Sequence, residues 1–385
     1  MKTKLLPIIL LLGVQAFAQQ GVFALTGKQG NSIILNDIRE IDLKTNLTKA
    51  TLLTANDDIK VISASTKKVV PQIKGANDHA QAQAIASLAY DTKNGKTVYM
   101  PLYSTNIFVI DNATKAVTLV ETNNIKTTAC DLGSQFTRMT AGADGAIYAV
   151  SNSGSQWLKM SYKNGRYSVV DLGEIKDDVT NGTNSLKVVN IGYGGDMVAD
   201  TDNNLYLISA SAHVFKVNGL DNTAKFIGKI KGLPEGFTLN GAAVNESGSL
   251  VLASAKGGKL FTATLDQLDA QPIENSVSEP IYDLASSFFL NQNRVVTDVA
   301  TTVNADIYPT RVSDKVFNVR VEGQGVSVEI YDASGQLASK SLLKNLSGKN
   351  TYEVAVDHLK TGMYLVNLLD ADQKQILSKK ILVTK

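Results

Sequence analysis

A pattern of fourteen residues recurs along this chain without a gap. Arg138 to Ser151 reads RMTAGADGAIYAVS, Asp196 to Ser209 reads DMVADTDNNLYLIS, and Gly241 to Ser254 reads GAAVNESGSLVLAS. Ser87 to Leu102, SLAYDTKNGKTVYMPL, is a looser copy with a longer turn, and DLASSFF from Asp283 keeps only the start. Each copy is a short apolar strand, a turn of Asp, Asn, Ser and Gly, and a second apolar strand, which is the chemistry of a hairpin.

The unit extends beyond the hairpin. A third strand follows at Ile107–Ile110, Trp157–Met160, Val214–Val217 and Leu260–Ala263, and a weaker fourth at Ala116–Val120, Tyr167–Asp171 and Ala224–Ile227. Four strands per unit, at intervals of about 40 to 60 residues, predict a β-propeller. The copies start 51, 58, 45 and 42 residues apart, counted from Ser87 through Arg138, Asp196 and Gly241 to Asp283. Uneven spacing on a constant unit means loop insertions, which exposed loops tolerate cheaply.

The two ends of the repeat complement each other. Gly21–Thr26 matches the second strand and Asp37–Leu43 the third, with no first strand before them, while Asp283–Phe289 is a first strand without partners. Pairing the two removes two open sheet edges and completes one blade. The count is five blades; a sixth is the alternative if Asp57–Gln83 forms a sheet and not a long loop or an appended helix. The turn and second strand are similar to the D-x-x-G-x-[LI]-Y pattern of NHL-type and lactonase-type propellers, a resemblance that concerns blade geometry.

Composition excludes some functions. The 38 basic residues balance 36 acidic ones, which argues against a nucleic-acid partner. Aromatic residues make up 6 % of the chain, with one Trp, so glycan-stacking platforms are disfavoured. Lys2 and Lys4, the apolar run Leu5–Leu12 and the small-residue site Ala16-Phe17-Ala18 have the form of a secretory signal peptide cut after Ala18. Cys130 is the single cysteine, read as a small buried residue.

The character of the chain changes near Ala300. Alternating strands run through Val316–Val321, Val326–Tyr331, the turn Asp332–Gln336, Leu337–Leu343, Tyr352–Val356, Leu359–Val366 and Gln375–Val383, and predict a small antiparallel, Ig-like β-sandwich. This segment resembles the C-terminal sorting domain of type IX (Por) secretion. The resemblance rests on Tyr308-Pro309, the I-Y-D-A-S-G-Q turn with Gly335, the L-K-T-G-M-Y-L-V strand with Gly362 and Tyr364, and Lys379-Lys380; it departs at Thr310 and His358. It implies passage of the outer membrane by the type IX machinery, then release or anchoring on surface lipopolysaccharide. The domain plan is a signal peptide over 1–18, a propeller over 19–290, a linker over 291–302 and a sorting domain over 303–385, in a protein secreted or held at the outer-membrane surface of a Gram-negative cell.

One column of the repeat carries candidate chemistry. Ser87, Arg138, Asp196, Gly241 and Asp283 share a register at the start of the innermost strands, where propeller side chains approach the central channel. Two carboxylates converging there, with Asn240 and Asn190 near in sequence, can hold a divalent cation such as calcium; alternatively Arg138 pairs with a carboxylate and plugs the axis. His79, His213 and His358 lie too far apart in sequence to suggest a metal site, and Asp200–Asn204 imitates a calcium loop but lacks its glycine and terminal glutamate. No G-x-S-x-G and no phosphate-cradling loop occurs, and no Ser or Cys can be matched with a His. The acidic and basic doublets Asp57-Asp58, Asp177-Asp178 and Lys67-Lys68 read as solvated loop charges. The Tyr99, Tyr148, Tyr206 and Val251 column reads as core.

Three functions follow: an exported propeller that binds an unidentified ligand with its loop face, a metal-dependent hydrolase resembling the lactonase-type propellers, or a structural surface component. No motif identifies a substrate.

Overall fold

The computed structural model describes residues 21–29, 33–43, 45, 47–54, 57, 59–71, 84–128, 130–219, 221–274, 279–290, 305–321, 326–332, 335–343, 351–369 and 375–384. The proposed signal peptide, the linker over 291–302 and His79 lie outside them. The chain divides into two compact units, residues 1–294 and 295–385.

The first unit holds five sheets arranged as blades, each antiparallel through its four principal strands. Blade one is built from both ends of the repeat: Asp283–Ser286 is its inner strand, followed outward by Val22–Gln29, Ile33–Ile41 and Thr48–Leu53. The closing register sets Val22 against Ser286 and Leu25 against Asp283, so the expected complementation of the two ends is what the ring uses. Blade two runs outward from Ile85–Asp91, blade three from Phe136–Ala141, blade four from Asp196–Ala199 and blade five from Leu239–Val244.

The alternative sixth blade is not formed by the described residues. Val61–Ser63 instead pairs in parallel with Val117–Val120 as a fifth strand of blade two. Lys176–Asp177 does the same for blade four, against Thr223–Lys229. Both additions come from the segment just before their blade's inner strand, where the chain passes the blade's outer edge and covers its unpaired groups.

Five apolar seams fill the spaces between blades, which is why the inner strands read as continuous hydrophobic runs. Phe23, Leu88, Tyr99 and Phe108 pack in one seam, Met100, Met139 and Leu158 in the next, and Tyr148, Trp157, Leu207 and Phe215 in the third. Each such side chain contributes about 1.5–3 kcal/mol when fully buried. Tyr99, Tyr148, Tyr206 and Val251 all lie in these seams, so their column is core as expected.

The turns between first and second strands are closed by side-chain oxygens. Asp200 accepts from the Asp202 and Asn204 amides at 3.0 and 2.8 Å through one oxygen and from Asn204 Nδ2 and the Tyr206 hydroxyl through the other. Asp91 and Asn245 act likewise at the same register. The calcium-like spelling of 200–204 is therefore turn chemistry. In blade three that register is Gly142, where a Cβ would meet Asn203 Oδ1 at 2.5 Å and Tyr148 Cε2 at 2.7 Å; Asp144 takes over the capping.

Past Ser286 the chain crosses the turn end of the ring to blade four. The Leu290 amide donates to Ala199 O at 3.0 Å and the Thr201 amide to Leu290 O at 3.2 Å, while Ser287 and Gly21 exchange hydrogen bonds beside them. This end of the axis is covered.

The second unit is a sandwich. Ala305–Tyr308, Val316–Val321 and Thr351–Ala355 form one sheet; Arg311–Val312, Gln375–Val383, Gly362–Leu369, Ser327–Tyr331 and Leu337–Leu342 form the other, in that spatial order. Ile307, Phe317, Val319, Val328, Val366 and Ile381 are in its core.

Candidate functional site

The five-residue column lies at the axis, and its members are fully buried. Going round the ring, each touches the next blade. Ser87 Oγ of blade two donates to Phe136 O at the start of blade three, 2.9 Å. Arg138 Nη1 of blade three donates to Gly192 O, 3.0 Å, in the segment leading into blade four. Asp196 Oδ2 of blade four accepts from the Ala242 amide of blade five at 2.7 Å. A Cβ on Gly241 of blade five would meet the Asp283 carbonyl carbon of blade one at 2.9 Å, so the close approach requires glycine. Asp283 Oδ2 of blade one accepts from the Leu88 amide of blade two at 2.6 Å and closes the circle.

The column therefore works as a set of stitches. Both expected roles for its charges need correction. Arg138 does not pair with a carboxylate: its second terminal nitrogen donates to Ser151 O and, at 2.7 Å, to Asn152 O, so the two terminal nitrogens are spent on three backbone carbonyls, while the buried Nε has no hydrogen-bond partner among the described residues. Burial pushes its pKa down to about 10, against the opposing pull of Tyr193 and Asp196. Asp196 and Asp283 hydrogen-bond to each other, which two ionised carboxylates cannot do. Burial raises both, Asp196 to about 7 and Asp283 well above its ordinary value, with the Asp196 charge adding to the rise of Asp283, so the pair shares a proton.

This donor set does not fit a divalent cation. Asp196 already accepts from the Met197 and Ala242 amides, and Asp283 from those of Leu284 and Leu88. Asn240 Oδ1 is taken by the Ala255 amide, and Asn190 is exposed on the short helix Val189–Gly192. Among the described residues no three His, Cys, Asp or Glu side chains are grouped to hold a metal.

The upper end of the ring, where the chain runs into each inner strand, carries the long insertions implied by the 51- and 58-residue spacings. They lie in residues 121–135 and 174–195. Asn152 ties them together: its Nδ2 donates to Leu132 O at 2.9 Å and its Oδ1 accepts from the Gly194 amide at 3.0 Å. Gln135 Oε1 accepts from the Tyr103 amide at 2.7 Å, joining a blade-two loop to the same surface. Asp177, read as a solvated charge, instead organises residues 181–186 by accepting from Asn181 Nδ2, the Ser185 hydroxyl and the Leu186 amide. Over this polar framework Tyr103, Leu132, Val188 and Val189 stand exposed. Arg138 anchors the framework from below, through Ser151, Asn152 and Gly192.

One pairing was invisible in the sequence. Ser211 Oγ lies 2.8 Å from His213 Nδ1, and burial, with Lys229 nearby, lowers the His213 pKa. The hydroxyl also donates to Ile191 O at 3.0 Å. It has one proton, so when it donates to Ile191 O the donor between the two side chains is Nδ1–H. Cys130, expected to be buried, is exposed with φ 65° in the blade-three insertion.

In the second unit Tyr308 ends the first strand before a cis bond to Pro309, Gly335 occupies a left-handed turn position (φ 80°), and Gly362 opens the central strand. Tyr364 is buried and its hydroxyl donates to Lys360 O. Lys379 Nζ reaches Asp306 Oδ1 at 2.7 Å and Ile307 O at 3.0 Å, fastening the first strand to the last, while Lys380 is exposed.

Comparison with known proteins adds the following. Residues 306–384 match the family described as the secretion system C-terminal sorting domain. No curated protein matches the chain. Among solved structures it is similar to PorZ, a surface component of the type-IX secretion system of Porphyromonas gingivalis, at 12 % identity and TM-score 0.35, covering 94 % of this chain and 51 % of that one. The chain thus spans about half the length of that protein. It is also similar to a putative 6-phosphogluconolactonase from Bacteroides uniformis (11 %, TM-score 0.33, 69 % and 99 % covered) and to virginiamycin B lyase from Staphylococcus aureus (10 %, TM-score 0.34, 94 % and 95 % covered). The five-bladed ring itself follows from the strand pairing above. Residues 306–384 are a type IX secretion C-terminal sorting domain, and the chain that carries it behind a β-propeller is exported by that route, to the cell surface or beyond it.

Proposed function

We propose that this protein is a binding protein delivered by type IX secretion, and that its propeller engages another macromolecule through the upper loops of blades two to four. The observation that carries this reading is the tied framework around Asn152, which holds Tyr103, Leu132 and Val189 exposed on a fixed surface. Exposed apolar side chains on pre-organised loops favour binding, because little ordering entropy is lost on contact. The stitched axis supports the same reading, since the carboxylate oxygens of Asp196 and Asp283 already accept backbone amides of the protein. In this scheme residues 1–18 are removed as a signal peptide, 19–290 form the propeller, 291–302 link it to the sorting domain over 303–385, and the product is released or anchored on lipopolysaccharide outside a Gram-negative cell.

Two measurements test it. A chain ending at Thr302 is expected to stay in the periplasm, folded; finding it in the medium contradicts the export route. L132E with V189E is expected to weaken attachment of the purified protein to the surface of the producing cells by about tenfold, the equivalent of 1.4 kcal/mol. Unchanged attachment, with melting also unchanged, contradicts the binding face.

A further inference from the structure

The sorting domain presents an apolar strip on the outside of its larger sheet. Side chains alternate along Gly362–Leu369: Tyr364, Val366 and Leu368 point into the sandwich, whereas Met363 and Leu365 point out and are 50 % and 36 % exposed. An outward face meant only for water would be polar there. The register makes the strip continuous. Leu365 sits between Lys380 on one side and Tyr331 on the other, Tyr331 is followed by Leu337, and Met363 faces Leu382. With the Asp332 turn as one wall, the strip borders a cavity of about 610 Å³.

Its charges are asymmetric. Glu329, in the neighbouring row, already accepts from Lys340 Nζ at 2.8 Å and from the Tyr331 hydroxyl. Asp332 Oδ1 accepts from the Gln336 amide of its own turn. Lys379 is turned inward to Asp306. Lys380 lines the cavity and has no ion-pair partner among the described residues. The surface therefore complements an occupant that brings apolar groups and a carboxylate of its own. A second copy of this face offers no carboxylate that is not already bonded.

We infer that Lys380, Leu365, Met363 and Tyr331 form the docking surface of the sorting domain for an acidic, apolar protein surface of the type IX machinery, and that the two adjacent lysines have separate tasks. Lys379 is a positioning residue that holds the first strand of the domain on the last. Lys380 makes contact with the partner. This inference rests on export by type IX secretion.

The test uses the full chain, expressed in a bacterium with type IX secretion, and reads the exported fraction together with the melting curve of the purified protein. M363E with L365E, and separately K380E, are expected to cut the exported fraction about tenfold, without moving the melting transitions. K379M is expected to lower the melting temperature of the sorting domain. Wild-type export of M363E/L365E and of K380E overturns the inference, as does loss of a dimer in the variants by gel filtration, or loss of binding to phosphatidylglycerol vesicles as their main defect. If a chain ending at Thr302 is also exported, the type IX reading itself fails; if that chain is retained while the surface variants are exported, only the docking surface fails.

Discussion

Arg138→Ala is expected to destabilise the propeller by about 3–5 kcal/mol, since removing one member of a buried charged network leaves its partners unsatisfied. The side chain is fully buried and donates to the carbonyls of Ser151, Asn152 and Gly192. Alanine leaves those three carbonyls facing a cavity, and it removes a positive charge that interacts with the Asp196 carboxylate. For a domain of this size the loss corresponds to a fall in melting temperature on the order of 10 °C. Arg138→Lys keeps the charge but lacks the planar fork that reaches three acceptors, so it is expected to recover less than half of the loss. Urea unfolding of the three proteins reads these differences, and an alanine variant within about 1 kcal/mol of the parent would contradict the stitching role.

The carboxyl pair gives the second large effect, in the pH dependence of stability. Folding raises the pKa of Asp196 from 3.8 to about 7 through burial, against the opposing hydrogen bond from Asp283, and raises Asp283 well above 3.8 through burial first and the Asp196 charge second. The native state therefore keeps protons that the unfolded chain releases. Their contribution is fully present below pH 3.8, and the part due to Asp196, on the order of 4 kcal/mol, is lost as pH rises through about 7. Groups of the opposite kind, such as Asp111 held at about 2 by Lys96 and Thr114 in spite of partial burial, lose their contribution as pH falls below 3.8. Stability should accordingly peak near about pH 4 and decline from there to about pH 7. Asp283→Asn supplies a permanent donor to Asp196 and still accepts from the Leu88 amide, so its decline over that range should be much shallower. Parallel curves for the two proteins would show that no proton is shared at the axis.

The blades were legible because their signal is repeated. Apolar strands around an Asp, Asn, Ser and Gly turn recur in register, and the incomplete copies at Gly21 and Asp283 can only complete one another. The position of the axial column was readable for the same reason. What its members do was not, because partner choice is a tertiary fact: a sequence does not say that Arg138 will meet carbonyls brought by two loops, or that Asp196 and Asp283 will share a proton. Asn240 lies beside the column in sequence, yet its side chain caps a loop of its own blade. Cys130 was misjudged because small size suggested burial, whereas its place in an insertion with φ 65° put it at the surface. The split between Lys379 and Lys380 could have been foreseen, since neighbours on a strand face opposite sides.

The axis is either a set of stitches or an ion site. The most direct measurement is the melting curve of residues 19–385 with millimolar calcium and with excess chelator. Superimposable curves are the expected result, because the oxygens of Asp196 and Asp283 are occupied by backbone amides and by their shared proton. A stabilisation by calcium that disappears in Asp196→Asn and Asp283→Asn would contradict the account and return the axis to the list of candidate catalytic centres.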